Sequence, residues 1–174
     1  DLSVYVHIPF CARKCRYCSF YSVPLDGQIL PSFLTAVLTE LDLYNHNLPV
    51  ETLYIGGGSP SLIAAEHLIP FLRQMLKRTG PVCEFTVEIN PAQADQLLFA
   101  QLKDLGASRL SLGAQSFDQK DLDFLGRLHR AEDIGRAVDQ ARAAGFDNLG
   151  LDLIYAIPGS SRKTWKQTLQ KAID

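Results

Sequence analysis

Three cysteines, Cys11, Cys15 and Cys18, lie within eight residues of a 174-residue chain that contains four cysteines in all. Thiolates at the spacing Cys-x3-Cys-x2-Cys can hold three irons of an iron–sulfur cluster, which leaves a fourth iron open for another ligand. The spacing therefore predicts a reactive metal centre on this loop. A zinc site that takes His7 as its fourth ligand is the alternative built from the same residues.

The fourth cysteine, the net charge and the length of the apolar runs limit the classes of protein to which this chain can belong. The fourth cysteine, Cys83, opens a distant strand-like segment and is expected to be a small buried side chain. A clustered triplet with one remote cysteine favours a metal site in a reducing compartment over disulfides, which predicts a cytoplasmic protein. A formal net charge of −2 gives no electrostatic case for nucleic acid, and the apolar runs are too short for a membrane span.

Short β-rich runs alternate with longer amphipathic ones along the chain. Gly106 and Gly145 follow two of the helical stretches and predict helix ends. The alternation of β-rich and amphipathic runs is typical of an α/β fold with parallel strands, either an open doubly wound sheet or an incomplete barrel. Strands are expected at 4–8, 52–55, 85–89, 109–113 and 149–154. Helices are expected from Pro31 through Tyr44, at 65–78, 95–105, 120–125 and 132–144, and after Gly159.

Polar and glycine residues follow the carboxyl ends of these strands. In a parallel barrel those ends converge on one face, where active sites lie. Five motifs at five strand ends therefore predict one site for one bound molecule. The strand-end residues beyond the cysteine loop are Gly57, Gly58, Ser59, Glu88, Gln115 and Asp152.

Each of these residue types suits the recognition of a polar ligand. Glycines allow a close backbone approach because they lack Cβ. Glu88, Asp152 and Arg127 supply hydrogen-bonding groups for a ribose or an amino-acid moiety, and an ion pair of Arg127 with either carboxylate is the structural alternative. Tyr17 is a better candidate than Tyr5 for covering a cofactor, because it lies inside the cysteine loop.

In this order, the motifs resemble the radical S-adenosylmethionine superfamily, and within it the oxygen-independent coproporphyrinogen III oxidase-like group. The resemblance spans nearly the whole chain. The matching stretches are 7–11 (HIPFC), 17–20 (YCSF), 56–61 (GGGSPS), 88–91 (EINP), 110–117 (LSLGAQSF), 125–129 (LGRLH) and 152–155 (DLIY).

The resemblance implies a partial (β/α) barrel with parallel strands, truncated after about five βα units, so that 1–174 is an incomplete core domain without its C-terminal region. It implies a 4Fe–4S cluster on Cys11, Cys15 and Cys18, with the amino and carboxylate groups of S-adenosylmethionine on the open iron. One electron from the cluster would then cleave the sulfonium. By similarity, the cofactor contacts are Tyr5, Gly57, Gly58, Ser59 and Glu88, and those of a second S-adenosylmethionine are Tyr17, Gln115, Arg127 and Asp152.

Within this group, decarboxylating oxidases and heme chaperones are distinguished by one position. The oxidases resemble one another in having a further cysteine two residues after the third, where this chain has Phe20 after Ser19. This departure favours a heme chaperone whose partners are heme or porphyrin, an electron donor and a heme-acceptor protein. The oxidase and a zinc-stabilised binding module are the alternatives. A smaller departure, Ala156 in place of a usual glycine, is expected to restrict its loop.

Overall fold

The computed structural model describes residues 2–44 and 49–174, and its centre is a five-stranded parallel sheet. The strands are β1 (Leu2–Ile8), β2 (Phe10–Cys11), β3 (Val23–Pro24), β4 (Val50–Gly57), β5 (Glu84–Ile89), β6 (Arg109–Gln115) and β7 (Leu149–Leu153). The sheet order is β1-β4-β5-β6-β7, and β2 pairs with β3 separately. Because the order never reverses along the chain, it is that of a partial barrel and not of a doubly wound sheet.

A helix lies on each crossover between the sheet strands. The helices are α1 (Leu30–Leu43), α2 (Ala65–Thr79), α3 (Gln96–Asp104), α4 (Gln119–Leu125), α5 (Ala131–Ala143) and α6 (Arg162–Ile173). Successive helices contact one another, α1 with α2, α2 with α3 and α3 with α5, so they form one layer outside the sheet. The predicted α/β fold with parallel strands is confirmed. Among the described residues, no helix combines the length and apolar character needed to cross a membrane.

The pleat of the strands separates an apolar face from a polar one. Strand residues that face the helices, such as Leu53, Val87 and Leu112, are at most 1% exposed. Their neighbours point to the opposite face, because side chains alternate along a strand. The polar side chains that this places around one cavity are Tyr54, Glu88, Ser111 and Asp152. A closed barrel fills this interior with branched apolar residues, so the polar face is a candidate ligand site.

Three helices end in the same Schellman geometry, built on Gly106, Gly126 and Gly145 with φ of 91°, 75° and 87°. At each end the glycine N–H and the following N–H bond carbonyls of the last turn, for example Ala107 N to Leu102 O at 3.0 Å. The predicted stops at Gly106 and Gly145 are confirmed. Gly126 ends α4 in the same way, and Arg127 is the next residue along the chain.

A buried carboxylate connects α4 to the last helix. Asp121 is 7% exposed and accepts the hydroxyls of Ser116 (2.8 Å) and Ser160 (3.1 Å), and Ser116 also contacts Thr168 of α6 at 3.4 Å. The Asp121 carboxylate thereby satisfies two hydroxyl donors, one of them in a fully buried side chain.

We expect Asp121→Ala to lower the free energy of unfolding by about 1–3 kcal/mol, because two hydroxyl groups lose their acceptor. Urea denaturation measures the change. Asp123→Ala on the exposed side of the same helix is the matched control, with an expected effect within about 0.5 kcal/mol. Equal stabilities of the two variants would contradict the role assigned to Asp121.

Candidate functional site

The cysteine loop is closed at its base by a short parallel ladder. Val23 N donates to Pro9 O at 2.9 Å and Leu25 N to Cys11 O at 3.2 Å, which joins β3 to β2. Within the loop, Cys18 N donates to Cys15 O at 3.2 Å. The three cysteines therefore lie on a constrained segment whose ends are tied together.

The same loop covers the end of α4. Arg16 donates from its backbone N to Leu125 O (3.1 Å) and from Nη1 to Phe124 O (3.2 Å), while Arg13 Nη2 donates to Gly126 O at 2.6 Å. The last carbonyls of a helix lack intrahelical donors, and cations also favour this end of the helix dipole. Both arginines thus act as a cap for α4, which attaches the loop to the segment that carries Arg127.

His7 in β1 makes a hydrogen bond to Tyr21 in the segment that follows the three cysteines. Its Nε2 lies 2.8 Å from Tyr21 O, and its Nδ1 lies 3.1 Å from the Tyr5 hydroxyl. With Nε2–H donating to the carbonyl, Nδ1 is left to accept from Tyr5. Both ring nitrogens are therefore engaged within the protein, which leaves none free for the zinc ligation considered as an alternative.

The space beside the glycine triplet at the end of β4 is occupied by other residues of the chain. A Cβ on Gly57 would lie 2.8 Å from His7 Nδ1 and from Ile8 O, and a Cβ on Gly58 would lie 2.6 Å from Phe10 O and 2.9 Å from Cys11 Sγ. Gly57 also has φ +114°. The prediction that these glycines allow close approach is refined, because the group approaching them here is the cysteine loop.

Two carboxylates lie on the polar face of the sheet, Glu88 half-buried and Asp152 more exposed. Glu88 accepts the Tyr54 hydroxyl at 2.9 Å and Gly57 N at 3.0 Å, and Ser111 donates to both oxygens of Asp152 at 3.2 Å. Burial, with the nearby Asp152 charge, raises the pKa of Glu88, and burial also raises the pKa of Asp152. Sequence reasoning missed Tyr54 and Ser111, although the two-residue alternation of their strands marked both.

Arg127 directs its guanidinium toward the cysteine loop. Its Nη2 donates to Gly113 O at 2.8 Å, and its Nη1 lies 3.7 Å from Cys15 Sγ and 3.4 Å from the Tyr17 hydroxyl. Among the described residues, the ion pairs within 4.0 Å do not include Arg127, so the pair with Asp152 or Glu88 considered as an alternative is not formed.

His129 accepts a hydrogen bond from the Arg127 guanidinium. It is 1% exposed, its Nε2 lies 3.1 Å from Ala114 O, and Arg127 Nε donates to its Nδ1 at 3.3 Å. Only the neutral Nε2–H tautomer satisfies both bonds. Burial and the Arg127 charge lower the pKa of His129 to about 4, which keeps the ring neutral.

Most of the predicted site residues surround one cavity of about 500 Å³. Tyr5 lies outside this lining, with 53% of its surface exposed and its ring beside Tyr54. Cys83 lies just before β5 and is exposed, so its predicted burial was wrong; its backbone N donates to Glu51 O at 2.8 Å, while its side chain lies at the protein surface. The predicted residues that line the cavity are Cys11, Cys15, Cys18, Tyr17, Gly57, Gly58, Ser59, Glu88, Gln115, Arg127 and Asp152.

Backbone strain occurs at Gln115, which lines this cavity, and at Ala156 in the segment after β7. Gln115 at the end of β6 has φ 66° and is 8% exposed, and Ala156 has φ 56°, the left-handed region that favours glycine. Such conformations persist where the surrounding structure holds them, often at binding sites. Ala156 thus adopts a backbone conformation that favours glycine, and the expectation that it restricts its loop stays a prediction.

The donor set fits a cluster better than a single ion. Across residues 2–44 and 49–174, no three His, Cys, Asp or Glu side chains lie close enough to share one metal ion. Cys11, Cys15 and Cys18 nevertheless open into one cavity, beside a Ser22 hydroxyl oxygen that is buried and has no hydrogen-bond partner among the described residues. Separated thiols around a shared cavity suit a polynuclear iron–sulfur group.

Comparison with known proteins agrees with this geometry. The Radical SAM superfamily profile matches residues 5–172. The chain is 34% identical over 174 residues to the heme chaperone HemW of Lactococcus lactis, covering 99% of this chain and 46% of that protein. It is 33% identical over 177 residues to HemW of Bacillus subtilis, covering 98% of this chain and 47% of that protein.

A similar solved structure supports the same family assignment. Coproporphyrinogen III oxidase (HemN) from Escherichia coli, described as a radical SAM enzyme, superposes with a TM-score of 0.86 at 25% identity, covering 98% of this chain and 41% of that one. The chain belongs to the radical SAM superfamily. Within that superfamily it falls in the group of HemN and the HemW heme chaperones, and it spans about half the length of the curated relatives it matches. Membership implies a 4Fe–4S cluster and S-adenosylmethionine as cofactors.

We expect Gly58→Ala to reduce the iron and sulfide retained after anaerobic reconstitution, because the new Cβ would overlap Phe10 O and Cys11 Sγ and displace the loop. Gly135→Ala is the matched control, since a Cβ there has nothing within 4 Å. Iron and sulfide analysis of equal amounts of folded protein measures the effect, and unchanged loading of Gly58→Ala would contradict it.

The buried neutral His129 predicts a pH dependence of stability. Its folded pKa of about 4 lies below the ordinary histidine pKa of 6.5, so the unfolded chain takes up the proton first as the pH falls. The resulting stabilisation is complete above about pH 6.5 and is lost as the pH falls from 6.5 toward 4. We expect urea denaturation to show a shallower decline for His129→Asn over this window, whereas exposed His67→Asn should follow the wild type.

Proposed function

We propose that the full-length protein is a heme-binding chaperone that carries a 4Fe–4S cluster on Cys11, Cys15 and Cys18. The observation that carries this proposal is the similarity over nearly the whole chain to proteins named heme chaperone HemW. Phe20 adds to it. Its ring lines the mouth of the cavity and is 62% exposed, at the position where the oxidases have a further thiol.

In this proposal, the cluster and the residues that line the cavity have different roles. When bound, the cluster supplies one electron for reductive cleavage of S-adenosylmethionine. The chain's own residues hold that cofactor: Glu88 and Asp152 offer acceptors for hydroxyl and ammonium groups, while Arg127 and Gln115 offer donors for a carboxylate. The raised pKa values of Glu88 and Asp152 reflect burial in this cavity.

The position of Tyr54 and Ser59 supports the same assignment. Tyr54 donates to Glu88, and burial raises the pKa of Tyr54 to about 12, so it remains a hydroxyl donor that orients the carboxylate. Ser59 is 6% exposed and donates to Gln93 Oε1 at 3.3 Å. These contacts fix the polar side chains that line the cavity before any ligand binds, which lowers the entropic cost of binding.

The test uses the full-length protein, purified and reconstituted without oxygen. We expect stoichiometric iron and sulfide, an absorbance change on addition of S-adenosylmethionine, and heme that remains bound through gel filtration. Under the same conditions coproporphyrinogen III should not be decarboxylated, as followed by chromatography of the products.

Three other outcomes would contradict parts of the proposal. Decarboxylation of coproporphyrinogen without heme retention would identify an oxidase. Stoichiometric zinc without iron or sulfide would identify a zinc-stabilised module. Heme retention by a Cys11→Ala/Cys15→Ala/Cys18→Ala variant at wild-type affinity would show that heme binding does not depend on the cluster loop.

A further inference from the structure

One cation lies directly against a cysteine of the loop. Arg127 Nη1 is 3.7 Å from Cys15 Sγ, within hydrogen-bond distance for a sulfur acceptor. A hydrogen bond to a cluster sulfur stabilises the more negative, reduced state of an iron–sulfur cluster and so raises its reduction potential. Because Arg127 has no carboxylate partner within 4.0 Å among the described residues, its charge is not neutralised by an ion pair.

The guanidinium is held in place by acceptors on three sides. Nη2 donates to Gly113 O, Nε donates to His129 Nδ1, and Nη1 also reaches the Tyr17 hydroxyl. Gly113 makes room for this arrangement, since a Cβ there would lie 3.3 Å from Nη2. A guanidinium has its donors in a fixed fork, so these contacts determine where Nη1 points.

The backbone carrying Arg127 is fixed to the backbone carrying Cys15. Arg127 N donates to Leu122 O in the Schellman turn at the end of α4, and Arg13 Nη2 contacts Arg127 O at 3.2 Å. Arg16, the residue after Cys15, donates its N–H to Leu125 O. The separation between Nη1 and Sγ is thus set by direct contacts between the two segments.

We propose that Arg127 raises the reduction potential of the cluster through its hydrogen bond to Cys15, and that His129 is a positioning residue for this contact. The inference rests on the proposed ligation of a 4Fe–4S cluster by the three loop cysteines. It assigns Arg127 a role in the absence of S-adenosylmethionine, in addition to any contact with that cofactor. The role of His129 is to present an unprotonated Nδ1 to Arg127 Nε.

The experiment is a redox titration of the reconstituted full-length protein, followed by electron paramagnetic resonance without S-adenosylmethionine. We expect Arg127→Met to titrate at a lower midpoint potential than the wild type at equal iron content. Arg130→Met is the matched control, because that arginine is exposed and pairs with Glu132, and its potential should be that of the wild type.

A pair of His129 variants tests the positioning role. Asparagine can place an acceptor near the Nδ1 position, whereas glutamine can place a donor near the Nε2 position. We expect His129→Asn to keep a potential close to that of the wild type and His129→Gln to shift it in the direction of Arg127→Met. If Arg127→Met does not take up a cluster, this pair decides the inference.

The outcomes separate this inference from the proposed function. A wild-type protein without iron and sulfide would overturn the cluster assignment and the inference with it. A loaded wild type whose potential is unchanged in Arg127→Met would overturn the inference alone. Equal potentials for the two His129 variants would overturn the positioning role of His129.

Discussion

The cysteine loop is the C-terminal cap of α4, and the geometry of the site depends on this contact. The last carbonyls of that helix are satisfied by the Schellman turn at Gly126 and by donors from the loop, the Arg16 backbone and side chain and the Arg13 guanidinium. A helix end without such partners would leave carbonyls unpaired. The loop and the segment carrying Arg127 therefore act as one structural unit.

The inner face of the sheet has polar groups where apolar ones would be more stabilising, which makes it a candidate ligand surface. Glu88 and Asp152 occupy positions where a closed barrel has branched apolar side chains, and burial raises the pKa of both. Their hydrogen bonds to Tyr54 and Ser111 offset part of the desolvation. The left-handed backbone at Gln115 adds strain at the same cavity. Polar groups and strain concentrated at one cavity are typical of binding sites.

The glycines at the end of β4 show how one sequence pattern can have two physical causes. Their lack of Cβ suggested a close approach by a ligand, and Gly57 and Gly58 do line the cavity. The space that a Cβ would need is occupied by His7, Ile8 and Phe10, at the end of β1 and the start of the loop. The glycines thus allow the start of the cysteine loop to lie against the sheet, and they contribute to the candidate site through that placement.

The sequence by itself determined the features that depend on local physics. Alternation and helical spacing predicted the strands and helices, and left-handed glycines marked the ends of α3 and α5. The cysteine spacing predicts a metal-binding loop, which stays a prediction. Tertiary structure alone decided that the sheet order does not reverse, that His129 fixes Arg127, and that Arg13 and Arg16 cap α4. These last contacts join residues more than a hundred positions apart, and only the packing of α4 against the loop brings them together.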